Sequence, residues 1–248
     1  MKFRDYFYTE DPYAGFDLDS VPPDRQGWGS TAGIFAKLLT ELKPAKIVEV
    51  GTWKGASAIH MAEACREAGI ETDILCIDTF LGASGLWLRA GYAEETLKMQ
   101  AGLPTIHATF MRNVIDAGLT DVITALPLPS REAATVLIKR RIKADLIYID
   151  GDHSYEGCLE DMRSYRGALA PDGLMLCDDF TFDSVARAIT EFVAETGCEM
   201  LEVGNKVVLS FGRDISGLRQ WQTDMLARQA AHRAKKEALA AGAQASEG

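Results

Sequence analysis

Hydrophobic positions recur along this chain at two spacings, and the switches between them divide it into elements. Ile34, Phe35, Leu38, Leu39 and Leu42 fall on one helical face until Lys43-Pro44 ends the run, and residues 46–50 then read as a short buried strand entering Gly51. The same alternation predicts helices over 56–68, 109–117, 131–141 and 183–196, and strands over 73–78, 121–126, 145–150 and 174–178. A partly helical stretch is expected over 84–102. Cys158, Leu159, Met162, Tyr165 and Leu169 mark a further helix, which the Pro171-Asp172-Gly173 turn should stop. Two β-rich runs, 199–203 and 206–211, are separated only by Gly204-Asn205, a two-residue hairpin signal. Apolar strands between helices predict an α/β fold, a mostly parallel sheet covered on both faces and finished by that hairpin.

Around this core the pattern loses its period. Residues 1–30, with Pro22-Pro23 and Gly27-Trp28-Gly29-Ser30, read as an irregular arm. Residues 31–212 form the α/β domain, and 213–248 form a C-terminal segment. There Ile215, Leu218, Trp221, Met225 and Leu226 suggest one amphipathic helix, followed by an alanine-rich polar end. The arm and that helix are the two places where a homo-oligomer would form.

Composition narrows the function. With 36 acidic against 26 basic side chains the net charge is −10, so the basic footprint of a nucleic-acid-binding protein is missing. No apolar run approaches the roughly eighteen residues of a membrane span. Five cysteines without paired spacing read as reduced thiols of a cytoplasmic protein, and a zinc site has no support.

The most informative stretch runs from Ile47 to Ser57. A strand passes directly into glycines that open a helix, with Gly51 for a sharp turn and Gly55 for close approach. The spacing is E-x-G-x-x-x-G, not the dinucleotide G-x-G-x-x-G, and Glu49 would repel two phosphates while attracting the ammonium or sulfonium of S-adenosylmethionine. The next strand ends in Asp78-Thr79, a carboxylate placed for ribose hydroxyls.

Glu49, Gly51, Gly55 and Ser57, followed by Asp78 one strand later, resemble the first two motifs of class I S-adenosylmethionine-dependent methyltransferases, in the branch that holds the catechol, caffeoyl-CoA and macrolide-sugar O-methyltransferases. The resemblance covers roughly residues 28–211 and implies a Rossmann-like seven-stranded sheet whose last strand is antiparallel. It also implies that Glu49 and Ser57 hold the methionine end, Asp78 the ribose, and Ser130 with Arg131 the adenine. Thr52, Trp53 and Thr79 complete the expected cofactor-binding set. Ser130 is equally an ordinary N-cap for the helix over 131–141.

Two further strands end in acids, one in Asp150-Gly151-Asp152-His153 and the other in Asp178-Asp179. Carboxylates crowded at one sheet edge call for a cation, and hard oxygen ligands suit Mg²⁺, Mn²⁺ or Ca²⁺. Asp150, Asp178 and Asp179 are the expected ligands, matching the pattern of the metal-dependent branch. His153 is the candidate general base, with Asp150 or Asp152 as substitutes. The expected reaction is methyl transfer to a hydroxyl of a small molecule: sugar, phenol or natural product. Trp28, Trp53, Trp87 and Tyr92 are candidate pocket residues, and 81–104 a candidate lid. Two rival readings remain: a nicotinamide-dependent oxidoreductase, decided by NADH titration, and a non-catalytic nucleoside-binding scaffold, decided by turnover.

Overall fold

The computed structural model of the chain describes residues 1–88, 91 and 93–246. Tyr92 lies outside the described residues. Two compact units are present, Met1–Arg213 and Asp214–Gly248.

The first unit is built on a seven-stranded sheet. Its strands are β1 (Lys46–Val50), β2 (Asp73–Ile77), β3 (Ile123–Leu126), β4 (Ala144–Ile149), β5 (Leu169–Cys177), β6 (Glu199–Val203) and β7 (Lys206–Ser210). They lie in the order β3-β2-β1-β4-β5-β7-β6. Strands β1 to β5 run parallel to one another, and β7 runs against both β5 and β6. The expected Rossmann-like sheet with its antiparallel hairpin strand is therefore present, and Gly204-Asn205 makes the turn.

Helices α1 (Phe3–Phe7), α2 (Gly33–Leu42), α3 (Ala56–Glu67), α4 (Ser84–Leu88), α5 (Ile106–Asp116), α6 (Ser130–Lys139), α7 (Tyr155–Arg166) and α8 (Asp183–Thr196) complete the unit. One face of the sheet, with Val48, Val50, Leu75, Ile77, Ile147 and Met175, packs against α6, α7 and α8 through Leu137, Met162, Tyr165, Ile189 and Phe192. Side chains alternate along a strand, so Ile47 and Glu49 point to the opposite face, toward α3. A continuous apolar strand buried on both sides is the sequence signature of this arrangement.

The structure departs from the sequence pattern in β5 and in the arm. Leu169 is not the end of a helix: it already pairs with Ala144, and Pro171-Asp172-Gly173 is an irregularity within β5, after which the register resumes at Leu146 and Leu174. Proline has no N–H to give to the ladder, and a Cβ on Gly173 would stand 2.9 Å from the Asp145 carbonyl oxygen, so the strand bends close to its neighbour there. The arm is also not wholly irregular. Phe3 in α1 is fully buried, and the hydroxyls of Tyr13 and Tyr8 donate to the Ile123 and Ala125 carbonyls at 2.8 and 2.9 Å, covering the open edge of β3.

In the second unit the alanine-rich end does not fray where the amphipathic pattern stops. One helix, α9 (Ser216–Ser246), continues through it, as the highest helix propensity among the residues allows. Among the described residues, no helix is long and apolar enough to cross a membrane.

Candidate active site

The parallel strands all end at the same edge of the sheet, and a cavity of about 1170 Å³ opens there. Crevices at the carboxyl ends of strands are where open α/β sheets take ligands.

The β1 tip is shaped by glycine. Gly51 has φ +85°, and a Cβ on it would fall 2.1 Å from the Asp150 carbonyl oxygen, so only glycine lets the β1 and β4 tips meet. Gly55, at φ +83°, caps α3, and its missing Cβ makes room for the Phe110 ring at 2.9 Å. Gly55 thus serves helix packing and does not line the cavity; Gly51, Thr52, Trp53 and Ser57 do.

Glu49 is not a wall residue either. It is fully buried beneath the turn, where Thr52 Oγ1 donates to it at 2.8 Å and Ser57 Oγ donates to its other oxygen. The strand alternation explains this: Glu49 faces α3, not the sheet edge. Burial pushes its carboxyl up to about 7, against the pull of the Ser57 and Thr52 hydroxyls. Its place is to hold the two hydroxyl residues that reach the cavity.

Asp78 ends β2 and lines the cavity beside Thr79. Its Oδ2 accepts the Trp53 N–H at 2.9 Å and its Oδ1 the Phe80 N–H at 2.8 Å, while burial raises its pKa. Trp53 itself is at φ +53°, a strained position for a bulky residue. The arm reaches this turn: Gln26 Oε1 accepts from Trp53 Nε1 at 3.0 Å, and Asp24 pairs with the buried Lys54 at 2.7 Å. Trp28 packs at 6.1 Å from the Trp53 ring. Trp87 donates to the Leu81 carbonyl and does not line the cavity.

Ser130 and Arg131 open α6 on the cavity wall. Ser130 does not act as the helix cap, since Pro129 holds that position; its hydroxyl donates to Asp161. Asp161 also lines the cavity, and burial pushes it up to about 6. Its signal in the sequence is an acid on the buried stripe of α7 beside Cys158, Met162 and Tyr165.

At the far end Asp150, His153, Asp178 and Asp179 come together. His153 Nε2 lies 2.9 Å from Asp179 Oδ2, and its ring stacks on Phe182 at 5.4 Å with a 19° interplanar angle. The hydrogen bond to Asp179 raises the imidazole pKa, against the opposing effect of burial. Asp150 is raised well above the usual carboxylate range by burial and by the neighbouring Asp178 carboxylate. The sequence reading missed three contributors: the Tyr148 hydroxyl, 2.9 Å from Asp150; Lys206, paired with Asp178; and Asn205, whose Nδ2 donates to Asp179 at 3.2 Å. Among the described residues, Asn205 Oδ1 is buried without a hydrogen-bond partner.

The donor set that could hold a cation differs from the expected one. Among the described residues, one ligand atom each of Asp150, His153 and Asp179 lies within 4.8 Å of the others. A donor set of two carboxylates and an imidazole suits a divalent ion. Asp178 is not in that group.

The Methyltransferase domain family (Methyltransf_24) matches residues 48–180, from β1 to just past Asp179. Among solved structures, the S-adenosylhomocysteine (SAH)-bound methyltransferase PaMTH1 of Podospora anserina superposes with a TM-score of 0.54 at 17% identity, covering 79% of this chain and 85% of that one. The Bacillus cereus O-methyltransferase in complex with SAH gives 0.52 at 14% identity, over 76% and 84%. TomG of Streptomyces achromogenes, an O-methyltransferase in complex with S-adenosylmethionine, gives 0.51 at 14%, over 85% and 94%. No curated protein sequence matches the chain. At such identities the superpositions establish the fold, while the matched domain spans more than half of the 248 residues. The chain belongs to the Methyltransferase domain family and is an S-adenosylmethionine-dependent methyltransferase.

Proposed function

We propose that this enzyme transfers the methyl group of S-adenosylmethionine to a hydroxyl oxygen of a small-molecule acceptor. The observation that carries the reading is one cavity with two chemically distinct ends. Thr52, Ser57 and Asp78 follow β1 and β2, Asp150, His153 and Asp179 follow β4 and β5, and Ser130 with Asp161 lines the wall beside Gly151. The similar solved structures bound to S-adenosylmethionine or SAH support the first end as the nucleoside site.

In this reading Asp78 accepts the ribose hydroxyls, and the start of α3 with Ser57 receives the methionine carboxylate, as helix N-termini favour anions. Ser130 and Asp161 face the adenine. The acceptor enters between Trp28 and Phe182, which are 63% and 50% exposed at the rim and offer flat apolar faces. The acceptor oxygen attacks the sulfonium methyl in line: an O–C bond forms, the C–S bond breaks, and SAH leaves. The hydroxyl proton passes to His153, whose neutral ring bonds Asp179 through Nε2 and keeps Nδ1 basic. A divalent cation held by the carboxylates of Asp150 and Asp179 would lower the pKa of the acceptor hydroxyl and leave Nδ1 of His153 free to take the proton.

Calorimetry with SAH, and mass spectrometry of phenolic, sugar and polyketide acceptors incubated with S-adenosylmethionine, test the reading. Saturable SAH binding, a methylated product, and no saturable binding of NADH are expected. Absence of SAH binding by the folded chain would sink it.

A further inference from the structure

Lys206 begins β7, and its side chain is 3% exposed; the Asp178 carboxylate it pairs with is 4% exposed. Its Nζ also donates to the Tyr148 hydroxyl at 2.9 Å and lies 5.0 and 5.2 Å from the Tyr148 and Phe35 ring centroids. A Cβ on Gly29 would stand 3.5 Å from Nζ, so the arm closes over the ammonium. Long basic side chains are almost never this buried unless paired.

Asp178 is correspondingly committed. Its Oδ2 takes the ammonium and accepts the Tyr148 hydroxyl at 2.5 Å, and its Oδ1 accepts the Asp179 N–H at 2.7 Å. An ammonium carries three donors and no lone pair, so it neutralises a carboxylate without offering anything to a metal. A dication sharing that same carboxylate would meet a positive charge at ligand distance in a dry environment, where like charges repel strongly.

We propose that Lys206 is a tethered cation standing where a divalent ion would otherwise sit on Asp178. It keeps Asp178 out of any coordination sphere and fixes the Tyr148 hydroxyl, which lies 2.9 Å from Asp150 at the acceptor end of the cavity. The placement of that end as acceptor site rests on the methyl-transfer reading; the exclusion of metal from Asp178 does not. The acidic edge thus carries a permanent charge from the fold, and an ion is left only the outer set of Asp150, His153 and Asp179.

Calorimetric titration of the full chain with MnCl2, and separately with SAH, tests this in wild type, Asp178→Asn, Lys206→Met, Lys206→Gln and the Asp178→Asn/Lys206→Met double variant. Asp178→Asn leaves the ammonium unpaired and is expected to weaken Mn²⁺ binding by charge alone, whereas the double variant, which removes both charges, is expected to stay within about twofold of wild type, because Asp178 is no ligand. Loss of the ammonium in Lys206→Met or Lys206→Gln is expected to raise Mn²⁺ affinity by about tenfold or more, and the double variant to cancel the gain. Lys206→Gln retains a donor for Tyr148, so it reports on charge even if Lys206→Met does not fold. A tenfold loss of Mn²⁺ affinity in the double variant, or unchanged affinity in a folded Lys206→Gln, overturns the proposal. The SAH titration separates the two readings: wild type that binds no SAH fails as a methyltransferase, while the Mn²⁺ comparison still decides the place of Lys206.

Discussion

The backbone N–H of Trp53 donates to Asp78 Oδ2 at 2.9 Å, which ties the glycine turn after β1 to the tip of β2. One carboxylate therefore fixes the cradle and faces the cavity. Asp78→Ala removes both functions, and charged hydrogen bonds of this kind contribute about 1.5–3 kcal/mol each. SAH affinity measured by calorimetry is expected to fall about 10- to 100-fold. Asp78→Asn retains an oxygen acceptor and should lose less. Equal affinity in Asp78→Ala and wild type would remove Asp78 from the nucleoside site.

Glycine positions around the site should rank by what their Cβ would meet. Gly51→Ala combines φ +85° with an atom 2.1 Å from the Asp150 backbone oxygen, which cannot give way. Gly204→Ala, at φ +65° in the hairpin, meets nothing within 4 Å among the described residues. Urea denaturation should show a loss of about 1 kcal/mol for Gly204→Ala and about 3 kcal/mol or more for Gly51→Ala. A Gly51→Ala protein as stable as Gly204→Ala would mean that the β1 and β4 tips do not touch.

The sheet and its active edge were legible because buried strands are short apolar runs, and Gly51, Asp78, Asp150 and Asp178 sit where those runs stop. What periodicity does not carry is which polar groups meet across the sheet. Lys206 opens an apolar strand and looks like an exposed terminal lysine; its partner Asp178 is 28 positions away, and nothing local joins them. Glu49 could have been placed from alternation alone, since Val48 and Val50 share one face and leave it on the other. Leu169 continued a helical spacing by chance, and only its pairing with Ala144 reveals β5.

Glu49 should leave a mark on the pH dependence of stability. Burial raises its carboxyl from an ordinary 4.5 to about 7, so the folded state retains a proton that the unfolded state has already lost between those values. The contribution of the neutral form is complete below pH 4.5 and disappears as pH rises through about 7. A shift of this size corresponds to about 3 kcal/mol. Glu49→Gln keeps the shape without the titration, so its stability relative to wild type should increase by up to about that amount between pH 4 and pH 8 in urea melts. Asp161, pushed up to about 6, titrates in both proteins and cancels from the difference. A constant difference across that range would show that Glu49 is ionised throughout.

His153 and Asp179 make the sharpest prediction for chemistry. The hydrogen bond from His153 Nε2 to Asp179 raises the imidazole pKa, so at low pH the ring is protonated and has no lone pair for the acceptor proton. Turnover per bound acceptor should therefore rise with pH through the raised His153 value. Asp179→Asn removes the carboxylate that favours the imidazolium, and the acidic limb of the kcat/KM profile should move to lower pH. His153→Ala should lower kcat by about 10²- to 10⁴-fold, the range of a lost general base, while SAH affinity stays unchanged, because the ring follows β4, two strands away from Asp78 at the tip of β2. An acidic limb that stays in place in Asp179→Asn, or full turnover in His153→Ala, would transfer the proton-accepting role to Asp150 or Asp152, the other acids following β4.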